Sequence, residues 1–98
     1  MLLSTDATTR WQCLRSADFA LRAWPDGSVL FDEANGQLHF LTPVAGMLLR
    51  LFMQRPAWSV EELAATLLDT RPTAEDIDLV NQVLVNFRSL KLIDRTPD

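Results

Sequence analysis

Few side chains in this 98-residue chain could take part in covalent chemistry. The sequence holds one histidine, His39, and one cysteine, Cys13. Such residues serve as base and nucleophile in covalent catalysis, but His39 falls on an extended segment with no nucleophile nearby in sequence. Cys13 precedes the predicted strands and has no evident activating base. We therefore expect no catalytic site and no enzymatic activity.

Two acidic clusters could in principle bind a metal ion or act as general acid and base. They occur in Ser59-Val60-Glu61-Glu62 and in Thr73-Ala74-Glu75-Asp76. Each follows a serine or threonine at the spacing of a capping box, and acidic side chains favour the first turn of a helix. Capping therefore explains both clusters. The sequence has neither the spacing of metal ligands nor a phosphate-binding glycine loop, so we expect no cofactor and no metal.

The composition is that of an ordinary globular domain. Hydrophobic residues make up 48% of the chain, charged residues 22%, and the formal net charge is −4. A net negative charge argues against a surface that binds phosphates, so we expect no nucleic-acid partner. The apolar runs are too short to span a bilayer, and the N-terminus lacks the pattern of a signal peptide. We expect a cytoplasmic protein that binds no membrane.

The length is sufficient for one small domain with one hydrophobic core. We expect a flexible N-terminal segment over residues 1–10, a folded domain over residues 11–94 and a C-terminal tail over residues 95–98. Trp11-Gln12-Cys13-Leu14 could form a short extended piece whose tryptophan covers one end of the core. Trp24 and Trp58 are also expected to cover the core.

Three segments have the pattern of β-strands, and tight turns join them. The segments run from Phe19 to Trp24, from Ser28 to Asp32 and from Gln37 to Leu41. The turns contain Pro25-Asp26-Gly27 and Asn35-Gly36, whose residues favour reversal of the chain. Such an order predicts an antiparallel meander, in which the third strand lies at an edge.

Helices follow the third strand. Thr42 is a good N-cap and Pro43 a favourable first helical residue, so we expect a helix that ends before Pro56. Leu48 and Leu51 in this helix are predicted to be central core residues. The two capping boxes begin two further helices, the second of which ends near Lys91. The predicted fold is α+β and winged-helix-like, a three-stranded antiparallel sheet followed by three helices.

The third helix has an apolar arc of roughly 160°, which is wide for a single buried face. Its residues fall into two groups. Those expected to face the core are Ile77, Val80, Leu84 and Phe87. Those expected on one flank are Leu79, Val83 and Leu90. Either the whole arc is buried in a tightly packed domain, or the flank lines a partly exposed apolar groove.

The order of these features resembles the PqqD-like family, also called RiPP recognition elements, and most closely its branch found beside HPr-kinase-related proteins. That branch tends to have a tryptophan near its start, a Trp-Asp-like turn, a Ser-Gly-x-Thr-His-x-Leu segment and a proline-led Leu-Leu helix. The matching residues are Trp11, Trp24, Asp26, Gly36, His39, Leu41, Pro43, Leu48 and Leu49. The tail Leu90-Lys91-Leu92-Ile93-Asp94 resembles the family's closing element.

The resemblance covers nearly the whole chain, with departures at single positions. Asn35 replaces the usual serine, Leu38 the usual threonine and Lys91 a common glycine. These positions lie in a turn, on a strand face and at a helix end. They therefore concern the details of a groove more than the fold.

The resemblance implies a non-enzymatic peptide chaperone. Such domains bind the leader segment of a ribosomally made precursor peptide and present it to a peptide-modifying enzyme. In the family the leader adds as a strand to the edge of the small sheet and lies against the third helix. The implied peptide-binding residues are Gln37, Leu38, His39, Phe40, Leu41, Leu79, Val83 and Leu90. Edge strands and apolar helix flanks are suited to this mode of binding.

Two other functions fit the same fold. A winged-helix DNA-binding regulator would need cations on the third helix, which carries only Arg88 and Lys91, with Asp76 and Asp78 near its start. A small adaptor or dimerisation module could pair its edge strand with that of a second copy. We expect a monomer or a weak homodimer.

Overall fold

In the computed structural model, which describes residues 10–96, two three-stranded antiparallel sheets and three α-helices enclose one hydrophobic core. The strands are β1 Arg10–Gln12, β2 Phe19–Trp24, β3 Gly27–Asp32, β4 Gln37–Leu41, β5 Ala57–Ser59 and β6 Asp94–Arg95. The helices are α1 Pro43–Gln54, α2 Val60–Leu68 and α3 Ala74–Ser89, and a short 3₁₀ helix, Ser16–Asp18, precedes β2. The predicted flexible segment lies, except for Arg10, outside the described residues, as do residues 97 and 98 of the predicted tail.

The predicted meander is confirmed, in the order β2-β3-β4. At the β3–β4 turn, the Asp32 carbonyl accepts a hydrogen bond from the Gly36 amide at 2.7 Å, and Gly36 has a φ of 73°. Glycine adopts such a left-handed conformation without steric cost. At the β2–β3 turn, a Cβ on Gly27 would lie 2.5 Å from the Leu41 carbonyl oxygen, so the close approach of β4 requires glycine there.

A second sheet, in the order β5-β1-β6, was not predicted. It pairs Trp11 of β1 with Trp58 of β5 on one side and with Arg95 of β6 on the other. Strands of two or three residues are too short to show a period of two, so their sequence does not reveal them. The sheet extends the folded part by one residue beyond each predicted boundary, because Arg10 and Arg95 both lie in strands and the Thr96 amide donates to the Arg10 carbonyl.

The helix starts are as predicted. The Thr42 hydroxyl accepts a hydrogen bond from the Ala45 amide at 3.2 Å, and complete capping boxes begin α2 at Ser59 and α3 at Thr73. Each such cap satisfies amides that the first turn leaves unpaired, and is worth about 1 kcal/mol.

The end of α3 shows which backbone conformation Lys91 adopts. Lys91 has a φ of 64°, its amide donates to the Arg88 carbonyl, and the Leu92 amide donates to the Phe87 carbonyl. This is a Schellman motif, in which the left-handed position usually holds glycine. Lys91 adopts this conformation at a steric cost that glycine would avoid.

The core is built on α1, with corrections to two predictions. Leu48, Leu49 and Phe52 are buried, whereas Leu51 is only partly buried and lies at the border of the core. Leu51 faces a shallow groove between α1 and α2, which explains its exposure. Trp58 covers the core as predicted, but Trp24 does not, because 52% of its surface is exposed at the end of β2.

Candidate functional site

The strand β4 has one unpaired edge within residues 10–96. In the sheet order β2-β3-β4 it pairs only with β3, in a register that sets Leu38 opposite Phe31 and Phe40 opposite Val29. An unpaired edge presents backbone amides and carbonyls that another extended chain can bond. The prediction that the third strand lies at an edge is therefore confirmed.

The five predicted site residues on β4 divide by the side of the sheet on which they lie. Leu38 and Phe40 lie on the outer face and are 57% and 82% exposed. Gln37 is exposed, His39 is partly buried, and the Leu41 side chain is buried in the core. Leu41 can therefore offer a partner only its backbone, since its side chain is already used in packing.

His39 holds a buried ring nitrogen. Its Nε2 is shielded from solvent and has no hydrogen-bond partner among the described residues. The residue pairs with Leu30 and lies near enough to the Asp32 carboxylate to favour its ionised form. Buried polar atoms are usually bonded, so this nitrogen is one of the exceptions among the described residues.

The three predicted residues on α3 lie on one flank of the helix but differ in burial. Leu79 is 52% exposed, whereas Val83 and Leu90 are partly buried and pack against the core. Val80, Leu84 and Phe87 are buried, as predicted, and Ile77 is partly buried. Most of the arc therefore packs inward, and Leu79 is its exposed member.

Arg15 joins the two halves of this surface. Its guanidinium donates to both carboxylate oxygens of Asp32 at 2.7 and 2.8 Å, and to the Lys91 carbonyl at 2.7 Å. Asp32 pairs with Gln37, the first residue of β4. The C-terminal end of α3 and the start of β4 are therefore held on either side of one guanidinium. Within residues 10–96, α3 packs mainly on α2 and does not pack closely on β4.

The Asp32 carboxylate is fully buried and ionised. Burial by itself raises the pKa of Asp32, but the hydrogen bonds from Arg15 and from the Ala34 amide outweigh that effect, so its pKa lies below the usual value. A single guanidinium nitrogen of Arg15 contacts both carboxylate oxygens, and hydrogen bonds between two charged groups are among the strongest in proteins. The ion pair holds the Arg15 guanidinium in place, and the buried Asp32 carboxylate adds no charge to the surface.

The outer face of the meander is apolar and exposed. Trp24, Phe31, Leu38 and Phe40 are exposed there, and Val29 is partly buried between them. An open concavity of about 550 Å³ lies between Trp24 and Phe40, with Gly27 and Val29 among its lining residues. Exposed apolar clusters of this kind mark interaction surfaces.

The residues considered first for catalysis do not form a reactive site. Cys13 is buried, and burial raises the pKa of its thiol, so it is held in the less nucleophilic protonated form. Within residues 10–96 no group of three His, Cys, Asp or Glu side chains is placed to bind a metal ion. The same range has no helix that is both long and apolar enough to cross a bilayer.

Two features of the site were missed in the sequence. The Arg15–Asp32 pair had a detectable signal, because Asp32 shares its strand face with Ser28 and Leu30, and a charge in a core-facing position requires a partner. The outer face had a signal too: Phe31, Leu38 and Phe40 occupy positions at which a sheet with one solvated face usually has polar residues.

Comparison with known proteins gives one structural relationship. No family model and no curated protein matches the sequence. The solved structure of a lasso peptide synthetase B1, complexed with the leader peptide, matches the fold with a TM-score of 0.59 at 12% identity. The match covers 89% of this chain and 98% of that one. The chain therefore has the α+β fold of that protein.

Proposed function

We propose that this chain is a RiPP recognition element of the PqqD-like kind, which binds the leader segment of a ribosomally made precursor peptide. The observation that carries the proposal is the unpaired edge of β4 on a fold that the lasso peptide synthetase B1 shares. That protein was solved with a leader peptide bound. The resemblance in sequence supports the same assignment independently.

The physical chemistry of the surface suits an extended peptide. Backbone bonds to β4 would provide register and part of the affinity, and pockets for side chains would provide selectivity. The exposed Leu79 on α3 is available for such selectivity. The Arg15 guanidinium links the Lys91 carbonyl, just after α3, to Asp32, the β3 residue that pairs with the first residue of β4.

The peptide would be passed to a separate modifying enzyme. We propose that this chain is not itself an enzyme and uses no cofactor, since its one thiol is buried and protonated. We also propose a cytoplasmic location. A weak homodimer would leave this role unchanged unless it occupied the β4 edge.

DNA binding is less well supported than peptide binding. Of the two cations near the end of α3, Arg88 forms an ion pair with Asp94 at 3.1 Å, and the first turn of α3 carries Glu75 and Asp76. A recognition helix needs cations free to contact phosphates.

A titration followed by NMR tests the proposal. The probes are synthetic peptides that cover the N-terminal halves of short open reading frames neighbouring the gene, added to ¹⁵N-labelled protein. We expect one of them to shift the amide signals of Gln37–Leu41 and of the α3 flank. Shifts that cluster elsewhere, with β4 unaffected, would refute strand addition.

The variant Leu79→Asp sharpens the test. It places a charge among apolar contacts that the peptide would desolvate, so we expect binding at least tenfold weaker. Leu79 is a better target than Val83, whose packing against the core means that Val83→Asp would also destabilise the fold. The matched control is Leu68→Asp, an exposed leucine on α2, which should leave the affinity unchanged.

A further inference from the structure

We propose that the outer face of the β2-β3-β4 sheet is a docking surface for one amphipathic helix of a protein partner, with an acidic residue of that helix beside Arg22. The inference does not depend on the proposed function, because it concerns the face of the sheet and not the unpaired edge of β4. Seven side chains form the face: Ala20, Arg22 and Trp24 of β2, Val29 and Phe31 of β3, and Leu38 and Phe40 of β4.

The exposed apolar surface extends over all three strands of the sheet. Its large exposed members are Trp24, Phe31, Leu38 and Phe40. Phe31, on the central strand, pairs with Ala20 of β2 on one side and with Leu38 of β4 on the other. The exposed side chains are therefore contiguous from one edge of the sheet to the other, and nothing in residues 10–96 covers them. An occupant of this surface must lie over the whole face.

The dimensions of the face match those of a single helix. The strands have five or six residues each. At about 4.8 Å between strands and about 3.3 Å per residue, the face is about 14 Å wide and 17–20 Å long. An α-helix with its side chains is about 10–12 Å across, and about 12 residues span 18 Å. A standard interface between two globular surfaces buries about 800 Å² on each partner, considerably more than a face of these dimensions offers to a second copy of the chain.

The backbone of the sheet also favours a helix over an extended chain. The hydrogen bonds of a sheet lie between neighbouring strands, so a strand laid on the face would find no backbone partners. A helix satisfies its own backbone internally and can pack through side chains alone. The inner face of the same sheet already packs in this way on α1. A strand bonded to β4 would lie in the plane of the sheet and leave the outer face open.

The relief of the face provides two adjacent places for apolar anchors. An open concavity of about 550 Å³ lies between Trp24 and Phe40, and a second of about 450 Å³ lies between Trp24 and Phe31. Trp24 and Val29 line both concavities. Residues three or four apart on a helix have Cβ atoms about 5–6 Å apart on one side of the helix. One helix can therefore place an apolar side chain in each concavity.

The charge on the face identifies the polar part of the partner. Arg22 is the one charged side chain among the seven, it is exposed, and it forms no ion pair with any residue in the range 10–96. Aromatic residues and arginine are enriched in protein interfaces. A carboxylate on the partner helix would pair with Arg22 at the rim. That carboxylate belongs away from the β2–β3 turn, where Asp26 lines the first concavity.

A selection experiment tests the inference without the natural partner. The probe is a display library of a three-helix-bundle scaffold, randomised at the outward positions of one helix and selected on the wild-type protein. Selected binders are then measured against Trp24→Thr and Phe40→Thr, which lie on the two outer strands of the face. Threonine favours strands, so both variants should fold, which their amide spectra would verify. The matched control is Leu68→Ala, which truncates an exposed leucine on α2.

We expect the selected helices to have apolar residues three and four apart, with an aspartate or glutamate beside them, and to shift the amide signals of all three strands. Trp24→Thr and Phe40→Thr should each weaken binding about tenfold or more, because buried aromatic contacts dominate the affinity of interfaces. Leu68→Ala should leave the affinity unchanged. A second selection, on Arg22→Glu, should replace the acidic residue of the helices with lysine or arginine.

Three results would overturn the inference. Selected helices whose affinity depends on only one of Trp24 and Phe40 would not cover the whole face. Acidic residues that persist in the selection on Arg22→Glu would refute the pairing with Arg22. A wild-type protein that sediments as a dimer, and that Trp24→Thr converts to a monomer, would assign the face to a second copy. None of these results concerns the β4 edge, so the peptide titration tests the proposed function separately.

Discussion

The β2-β3-β4 sheet departs from the usual pattern of a half-buried sheet on both faces: two polar residues are buried among the apolar residues of its inner face, and apolar residues are exposed on its outer face. The inner face, which packs on α1, includes the buried residues Ser28 and Asp32. The outer face carries Phe31, Leu38 and Phe40, all exposed. Antiparallel sheets with one solvated face usually place apolar residues inside and polar residues outside. The inner face therefore holds two polar side chains that need partners, and the outer face holds apolar side chains that nothing in residues 10–96 covers.

The residues found on each face of the sheet can be explained by what covers that face. Asp32 is stable inside because Arg15, in the segment that precedes β2, donates to both of its carboxylate oxygens. Ser28 lies where α1 approaches most closely, since a Cβ on Gly46 would be 2.4 Å from the Ser28 hydroxyl oxygen. The outer aromatic residues have no such cover within residues 10–96. We therefore expect substitutions on the inner face to change stability and those on the outer face to change binding.

The largest effect on stability should come from Arg15→Met. The substitution leaves the Asp32 carboxylate buried without its cation, and breaking a buried ion pair from one side costs about 3–5 kcal/mol. The lower end of that range applies, because the Arg15 side chain is itself 33% exposed. Urea denaturation would measure the loss. Arg22→Met, on the outer face, is the control and should change the free energy of unfolding by less than about 0.5 kcal/mol. If Arg15→Met and Arg22→Met changed the free energy of unfolding equally, the inner and outer faces would not differ in their contribution to stability.

Truncation of α1 should come next. Leu48→Ala removes a fully buried side chain and should cost about 2–5 kcal/mol. Leu51→Ala should cost less than about 2 kcal/mol, because Leu51 is only partly buried at the border of the core. The urea denaturation midpoints of the two variants, compared with that of the wild type, test whether Leu51 lies at the border of the core. A larger loss for Leu51 would mean that the core is centred differently.

Acid should destabilise the protein through the inner face. The pKa of Asp32 is lower in the folded chain than its unfolded value, which is about 3.9. A depressed pKa contributes stability above the unfolded pKa, and this contribution is lost as the pH falls below about 4 and through the folded pKa. Glu62, whose pKa is lowered mainly by the Ser59 amide, adds to the same loss.

The control for the acid effect is Glu62→Gln, which removes the contribution of Glu62 and leaves that of Asp32. Unfolding free energies measured between pH 7 and pH 3 should still decrease in this variant. If the free energy of unfolding did not change with pH over this range, Asp32 would not contribute to the pH dependence of stability as inferred.

The sequence was sufficient for the meander and the helix starts, and insufficient for the second sheet and for the burial of the candidate site residues. The strands β2, β3 and β4 and all three helix starts follow from local patterns, such as Asn35-Gly36 and the capping boxes, because turn and cap chemistry involves neighbouring residues. The second sheet could not be predicted, since its short strands pair residues that are far apart in sequence. The hydrogen bond between Arg15 and Lys91 could not be predicted for the same reason, because the two residues are far apart in sequence.

The burial of individual site residues was also beyond the sequence. Alternation placed Leu38 and Phe40 on one face of β4 correctly, but it could not decide which face α1 would cover. On α3, periodicity grouped Leu79 with Val83, although only Leu79 is largely exposed. The choice in each case depends on packing between elements, which is set by contacts distant in sequence.

The smallest effect on stability is expected for Phe40→Thr, and it completes the contrast between the faces. Phe40 is 82% exposed, so folding buries little of it, and threonine retains the preference for an extended backbone. We expect a change below about 0.5 kcal/mol in the free energy of unfolding, measured by the urea denaturation used for Arg15→Met. Phe31→Thr, beside it on the central strand, should cost more, because Phe31 is 38% exposed and packs between β2 and β4. If Phe40→Thr destabilised the domain as much as Phe31→Thr, Phe40 would be part of the packed sheet. Its exposure would then no longer indicate a surface reserved for a partner.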